Sequence, residues 1–460
     1  MVTLKSFLGM IAAVPFIMAC NQTGQVNATL FPASGSENVN PDTHLVLTFS
    51  ETPVLGDSGM IRVYDAVTDQ VVDSLDLSIP SGPTESRTYG PECDYTKVPY
   101  DYTRTVMPTN KDTRPGTPSG TAEPTPPVYQ LTIIGGFTDA FHFYPVIVRD
   151  SIATIYLHNN MLEYGHTYYV TIDNGVLNLA DGSFQGVTKE DEWIFTTKSD
   201  MPELSDTLIV DVAGKGDFNT VQGALDFIPD FNEQQTVILV NPGDYEELVY
   251  TRNKWNVKIK GAGMTDTKVH YANNEVFNPH PLTVKTNEWP GTFPSRRAAF
   301  MLDNCKDIVI EDMTIATDLK GQAEGLLING ERIALYRVHI IGSGDALQAN
   351  GTIYMESCEL DGGGDTILGR GSLFAYKSNF RNGGGPFSWV RNTAGNHGNV
   401  FVECTFSTED GKQADYGRTK SNHGSAYPDA EFVLIDCKVK NIIPEGWSSI
   451  GAKTAKNVRV

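Results

Sequence analysis

The chain has 460 residues, 40% of them hydrophobic, which is long enough for two buried cores, and its 43 glycines point to many tight turns. Lys+Arg 35 against Asp+Glu 56 leaves a net charge of −21. A surface of that sign argues against nucleic acid and anionic lipid as partners, and it repels polyanions unless basic residues gather in a cleft.

The N-terminus predicts export. Lys5 precedes an apolar run from Phe7 to Met18 that is too short to span a bilayer as a stable helix. Ile17-Met18-Ala19-Cys20 resembles a bacterial lipobox, with residues 1–19 removed and Cys20 lipidated. The expected location is the bacterial outer membrane, periplasmic or surface-facing, with membrane contact only through the lipid anchor. Of six cysteines, Cys93, Cys305, Cys358, Cys404 and Cys437 remain, and none forms a C-x-x-C pair. No metal site is expected from them or from the nine histidines.

Residues 27–198 predict a β-sandwich of short alternating strands, at His44–Phe49, Met60–Tyr64 and Tyr168–Ile172. Its opening Phe31–Pro41 and closing Trp193–Thr197 resemble the bacterial Ig-like domain of surface-layer proteins. A Pro/Thr-rich stretch at about 82–127 predicts an irregular insertion. The module is expected to serve as a spacer. Residues 199–206 form a linker.

From residue 207 the pattern changes. Val210 to Pro229 predicts a strand, a glycine turn and a short amphipathic helix stopped near Pro229. Strands follow at Thr236–Val240, Val257–Lys260 and Ile308–Ile310. Val338–Leu347, Cys358–Ile367 and Ser378–Phe387 then align at offsets of 20 residues, with Cys404-Thr-Phe and Cys437-Lys-Val recurring later. Such a unit suits one coil of a parallel β-helix. Val338, Cys358, Ser378, Cys404 and Cys437 become one inward column of small residues. The same alignment stacks Asp345 on Asp365. Two carboxylates about 4.8 Å apart, one strand spacing, resist double ionisation, which favours one acid beside one base.

Several blocks carry a family resemblance. Asp211–Pro229 resembles the opening segment of the pectin methylesterases, and Pro242–Glu247 their Gly-x-Tyr-x-Glu block. Gly321–Leu326 stands where that family has Gln-Ala-Val-Ala-Leu, Gly344–Leu347 for Gln-Asp-Thr-Leu, and Gly364–Gly369 for Asp-Phe-Ile-Phe-Gly. Tyr416-Gly417-Arg418 stands for Leu-Gly-Arg-Pro-Trp, followed by Pro444–Trp447. Residues 207–460 are thus similar to a pectin-lyase-like, right-handed parallel β-helix, giving an all-β protein.

The resemblance implies an aspartyl esterase acting on methyl-esterified galacturonate in pectin, as a monomer without metal or organic cofactor. Asp365 would be the nucleophile, Asp345 the general acid and base, Gln322 an oxyanion donor, and Arg418 the cation beside Asp365. Trp389, Phe387 and Lys420 are candidates for substrate binding. The chain departs from the pattern where Gly344 replaces the second glutamine, where Thr366 and Leu368 replace an aromatic pair, and where Thr419-Lys420 replace Pro-Trp. These departures leave open a weakened glycan-binding β-helix or an esterase of a different ester. Neither a calcium-dependent lyase pattern nor the larger carboxylate cluster of a polygalacturonase is found.

Overall fold

The computed structural model describes residues 26–84, 129–137, 141–204, 207–278, 296–392, 395, 397–418, 429–444 and 446, with Arg418 described in its backbone alone. Cys20, Cys93, Lys420 and Trp447 lie outside the described residues, as do nearly all of the expected insertion and most of the lipobox segment's surroundings.

Two sheets enclose the first core. One runs Thr29–Phe31, Leu45–Thr48, Ile152–Ile155, Val146–Arg149, all antiparallel. The other runs Ser36–Val39, Ile194–Thr197, Thr167–Ile172, Met60–Asp65, Gln70–Asp76. Strict alternation places Leu45, Leu47, Ile61, Val63, Val170 and Phe195 inside, all fully buried. The indole of Trp193 joins them and satisfies its N–H on Pro32 O at 2.8 Å.

Among the described residues from Thr207 to Val439, one parallel sheet of 19 strands runs in chain order, coiled into a β-helix. Thr236–Val240 lies beside Thr207–Val210 on one side and Trp255–Lys260 on the other. Longer strands, Phe300–Thr317 and Leu326–Ile341, bend through three faces of the coil, the first pairing in turn with Val249–Arg252, Trp255–Lys260 and Thr267–Tyr271, and their mutual register shifts once, between Asp303 and Cys305. The bends recur at one place. Asp312, Arg337, Ser357, Lys377, Glu403 and Asp436 all have φ between 49° and 59°. Each immediately precedes the inward column of Met313, Val338, Cys358, Ser378, Cys404 and Cys437. Register confirms that column, with Met313 opposite Val338, and His339 opposite Glu359, Glu359 opposite Asn379, Asn379 opposite Thr405 and Thr405 opposite Lys438 one residue on. Cys358 and Cys404 are fully buried, and their thiols donate to backbone carbonyls, Cys358 to Glu356 O at 3.4 Å and Cys404 to Val402 O at 3.3 Å. They act as small buried residues.

Helix α1 (Val221–Phe227) covers the start of the coil. Thr220 caps it by accepting from Gly223 N at 2.9 Å, and the extended Ile228 before Pro229 ends it. The expected amphipathic pattern is corrected here. Val221, Gln222, Gly223, Ala224, Leu225 and Phe227 are all buried, because the N-terminal module covers the face that would otherwise meet water. Asp42 of that module accepts from Asn219 N, Thr220 N and Thr220 Oγ1 at 2.7–3.1 Å. Asn40 donates to Asn219 Oδ1 at 2.7 Å, Lys198 to Gly216 O at 2.9 Å, and Asn159 to Asp226 at 2.8 Å.

A further departure is the stretch after the expected insertion. Ile134, Phe137 and Phe141 leave the two sheets and form a core with Tyr250, Tyr271, Phe277, Met301 and Leu327 of the β-helix. Bulky apolar groups in a loop must find a partner surface, and the outer wall of the coil provides it. The module is therefore packed on the β-helix rather than tethered as a free spacer.

Glu247 sits at this junction, accepting from Val221 N and Gln222 N at 2.8 and 2.9 Å. Burial outweighs those bonds and raises its pKa from 4.5 to about 7. Between these values the unfolded chain releases a proton that the folded one keeps, so stability falls as pH rises across that window. We expect the Tm of Glu247→Gln, relative to wild type, to increase steadily from pH 4.5 to 7.5 in calorimetry. A constant difference would show that Glu247 is ionised in the fold.

Candidate active site

Leu326 pairs with Leu347, and Leu347 with Ile367. Two residues earlier on each strand stand Glu324, Asp345 and Asp365, so register sets three carboxylates in one column. All three are buried, at 0%, 8% and 6% exposure. A turn of glycines precedes both aspartates: Gly342-Ser343-Gly344 and Gly362-Gly363-Gly364. The turns lie directly on one another, with Gly363 N and Gly364 N donating to Gly344 O at 3.1 and 2.6 Å. A Cβ on Gly363 would lie 2.2 Å from Ser343 O, so no side chain fits there.

Burying a carboxyl column requires cations. Arg297 supplies one. Its Nε and Nη2 donate to Glu324 in fork geometry at 2.7–2.9 Å. Nη2 also reaches Asp345 Oδ2 at 2.8 Å, while Nη1 donates to Gln322 Oε1 at 2.5 Å and to Glu275 Oε2 at 3.4 Å. Burial alone would lower the Arg297 pKa, but the charges of Glu324 and Asp345 hold it higher than usual. A second cation, Arg391, is 4% exposed and lies over the Trp389 ring at 4.4 Å.

Asp345 carries the balance of these effects. Desolvation raises its pKa to about 7 against the pull of Arg297, with Glu324 and Asp365 adding to the rise and Arg391 opposing it. Asp345 therefore holds its proton well above the usual carboxylate range, up to about 7.

Of the residues named from sequence, Asp345, Asp365 and Gln322 converge. Gln322 is exposed at the rim of the column, with its amide oxygen turned to Arg297. The backbone of Arg418 pairs with Trp389, and Trp389 with Leu368, which sets Arg418 two rungs beyond the strand of Asp365. Trp389 is half-buried, and Arg391 occupies one face of its ring. Phe387 needs correction. It is 0% exposed and packs edge-on against Phe406, 5.1 Å between centroids, so it belongs to the core and cannot stack on a sugar. Thr366 is likewise buried, accepting from Asn382 Nδ2 at 2.9 Å.

Three charged residues escaped the sequence reading: Glu324, Arg297 and Arg391. Glu324 lies within the Gln322–Leu326 block, and its place in the column follows from the pairing of Leu326 with Leu347. Arg297 lies outside the 20-residue repeat, so no periodic spacing announces it. Elsewhere, Glu246, His270 and Asp318 bring metal-ligand atoms within 4.8 Å of one another. Burial lowers the His270 pKa, yet hydrogen bonds to Asp244 and Asp318 outweigh it and raise it to about 9. With Arg149 on Glu246 at 2.5 Å and Lys268 4.0 Å from Asp318, three cations face the three carboxylates of this cluster.

The fold and site together define a parallel β-helix with buried, stacked carboxylates on adjacent rungs. The pectinesterase family model matches residues 207–457, more than half of the chain, and the protein belongs to that family of carboxylic ester hydrolases. Pectinesterase QRT1 of Arabidopsis thaliana is 26% identical over 284 residues, covering 57% of this chain and 70% of that protein. Probable pectinesterase 67 of the same plant is 27% identical over 38% of this chain and 50% of its own length, and pectinesterase 31 is 25% identical over 54% and 77%. The matched region thus spans from half to about three quarters of these relatives. Among solved structures, pectin methylesterase from carrot has 17% identity and a TM-score of 0.44, over 57% of this chain and 90% of that one. Pectin methylesterase PemA from Erwinia chrysanthemi has 17% identity and a TM-score of 0.42, over 54% and 81%.

We expect Phe387→Ala to cost about 3–5 kcal/mol in urea unfolding, as a core deletion does. A variant of unchanged stability with weakened pectin binding would return Phe387 to the cleft.

Proposed function

We propose that this protein hydrolyses methyl esters of galacturonate units in pectin and releases methanol. The observation that carries the reading is the adjacent, buried pair Asp345 and Asp365, one rung apart, with burial raising the Asp345 carboxyl to about 7. The Asp365 carboxylate attacks the ester carbonyl and forms an acyl anhydride. Its oxyanion accepts a hydrogen bond from the Gln322 amide, and Arg418 holds Asp365 in its anionic form. Asp345 passes its proton to the leaving methoxide, giving methanol. Water then attacks the anhydride while Asp345 recovers a proton, which frees the galacturonate and restores Asp365. Trp389 and Lys420 would contact neighbouring sugar units. Family membership and the position of both aspartates within its motifs support these roles.

We further propose that the mature chain is exported, anchored by lipid on Cys20 at the outer membrane and monomeric, with an Ig-like module ahead of the β-helix. The lipobox-like segment and the two-sheet core of residues 27–198 support this reading.

Highly methylated pectin tests the activity. Wild type should release methanol, and Asp365→Asn should lower the rate on the order of 10³-fold or more. No methanol from a wild type that still binds pectin would leave a glycan-binding protein, and uronate with a new double bond would indicate a lyase.

The pH dependence has a definite sign. The acid form of Asp345 is lost as pH rises through about 7. Above that value kcat/KM should fall, approaching tenfold per pH unit. An alkaline limb near pH 10 would remove Asp345 from the acid role.

A further inference from the structure

Gly344 leaves the site one side-chain amide short of the pattern it resembles, and the backbone explains why a side chain is absent. A Cβ at Gly344 would stand 2.8 Å from Gly321 O and 3.4 Å from the Gln322 Cα. The preceding rung occupies the space. The remaining amide, at Gln322, must then present the correct atom without a companion to fix it.

An amide side chain has two nearly isosteric orientations, one offering a donor and the other an acceptor. An acceptor aimed at an oxyanion is repulsive. Guanidinium groups carry donors alone, so the atom of Gln322 that faces Arg297 must be its oxygen. Arg297 Nη1 does meet Oε1, at 2.5 Å, and the backbone is held too, since Glu275 N donates to Gln322 O at 3.0 Å. The same guanidinium donates to Asp345 Oδ2 at 2.8 Å and is itself clamped by the fully buried Glu324 through both Nε and Nη2.

We propose that Arg297, clamped by Glu324, is a positioning residue that turns the Gln322 amide nitrogen toward the reacting ester and fixes the orientation of the Asp345 carboxyl. One fork thus organises the oxyanion donor and the proton donor together. This inference rests on the esterase reading for its chemistry, but the electrostatic part stands on the geometry alone. Asp345 faces Arg297 and Glu324 from the preceding rungs, Asp365 from the next, and Arg391 beyond; Glu275 acts on it through Arg297.

The two members of the clamp push Asp345 in opposite directions, and this separates positioning from mere support. Glu324→Gln keeps the Arg297 cation and removes an anion, so the alkaline limb of methanol release should move down by about half a pH unit or more. Arg297→Met paired with Glu324→Gln, which avoids leaving a buried carboxylate alone, should move it upward from the Glu324→Gln position by a similar amount. Arg297→Lys keeps the charge but loses the fork. It should lower kcat at least about tenfold, with KM within about twofold and the limb near its wild-type position. The Asp345 titration is also read directly, by NMR of protein carrying ¹³C-carboxyl aspartate, with Asp345→Asn assigning the signal.

Opposite displacements in that titration together with the kcat loss of Arg297→Lys support the proposal. A titration that stays in place in all variants, or an Arg297→Lys enzyme with wild-type kcat, overturns it. A wild type that releases no methanol defeats the esterase reading itself. In that case the NMR displacements still decide whether Arg297 and Glu324 govern Asp345.

Discussion

Parallel stacking is the constraint on which the rest of this protein depends. In a coil of parallel strands the nearest neighbour of a residue is its counterpart one turn away, about 4.8 Å along the axis. Any residue type that recurs at the same place in successive turns is therefore forced against its own kind. Apolar and small residues profit from this, as in the column from Met313 to Cys437. Acidic residues do not. Setting Glu324, Asp345 and Asp365 in one buried column concentrates negative charge that the backbone arrangement gives no means to disperse.

The answer lies in a balance between desolvation and a small number of cations. A pair of unit charges about 4 Å apart interacts by about 4 kcal/mol at an effective dielectric constant of 20. That is comparable to the penalty of burying either group, so neither effect dominates by a wide margin. Glu324 has Arg297 bound in bidentate fashion, whereas Asp345 receives one bond from the same guanidinium. Unequal sharing sets two neighbouring carboxyls of the same column in different surroundings, and the inequality arises from a single arginine.

The sequence made some of this legible. The 20-residue spacing that aligns Val338, Cys358 and Ser378 rests on turns of equal length, so the spacing alone sets Asp345 beside Asp365. Glu324 was harder, since the turn between it and Asp345 is one residue longer, and a one-residue slip conceals a column. Arg297 stands outside the 20-residue repeat, and its place beside the column carries no periodic signal. An aromatic beside a motif looks the same in sequence whether it faces solvent or core, and strand alternation would set Phe387 on the outward face with Trp389; Phe387 stands just before the strand Ser388–Val390 and turns inward against that alternation. The packing of Phe137 and Phe141 on the β-helix was invisible for a similar reason. Contacts between modules leave no pattern in either one alone.

The stacked glycine turns beneath the aspartates limit how this site can change over evolutionary time. At Gly344 and Gly363 even a methyl group meets backbone oxygen of the adjacent turn, at 2.8 and 2.2 Å. Variation on that side of the cleft is closed off, because any substitution must first move the main chain of two turns that bond to each other. Change around the carboxylates must then come from other positions, such as the half-buried Trp389. Divergent descendants of this chain would keep an unchanged floor of glycines beneath walls of differing composition.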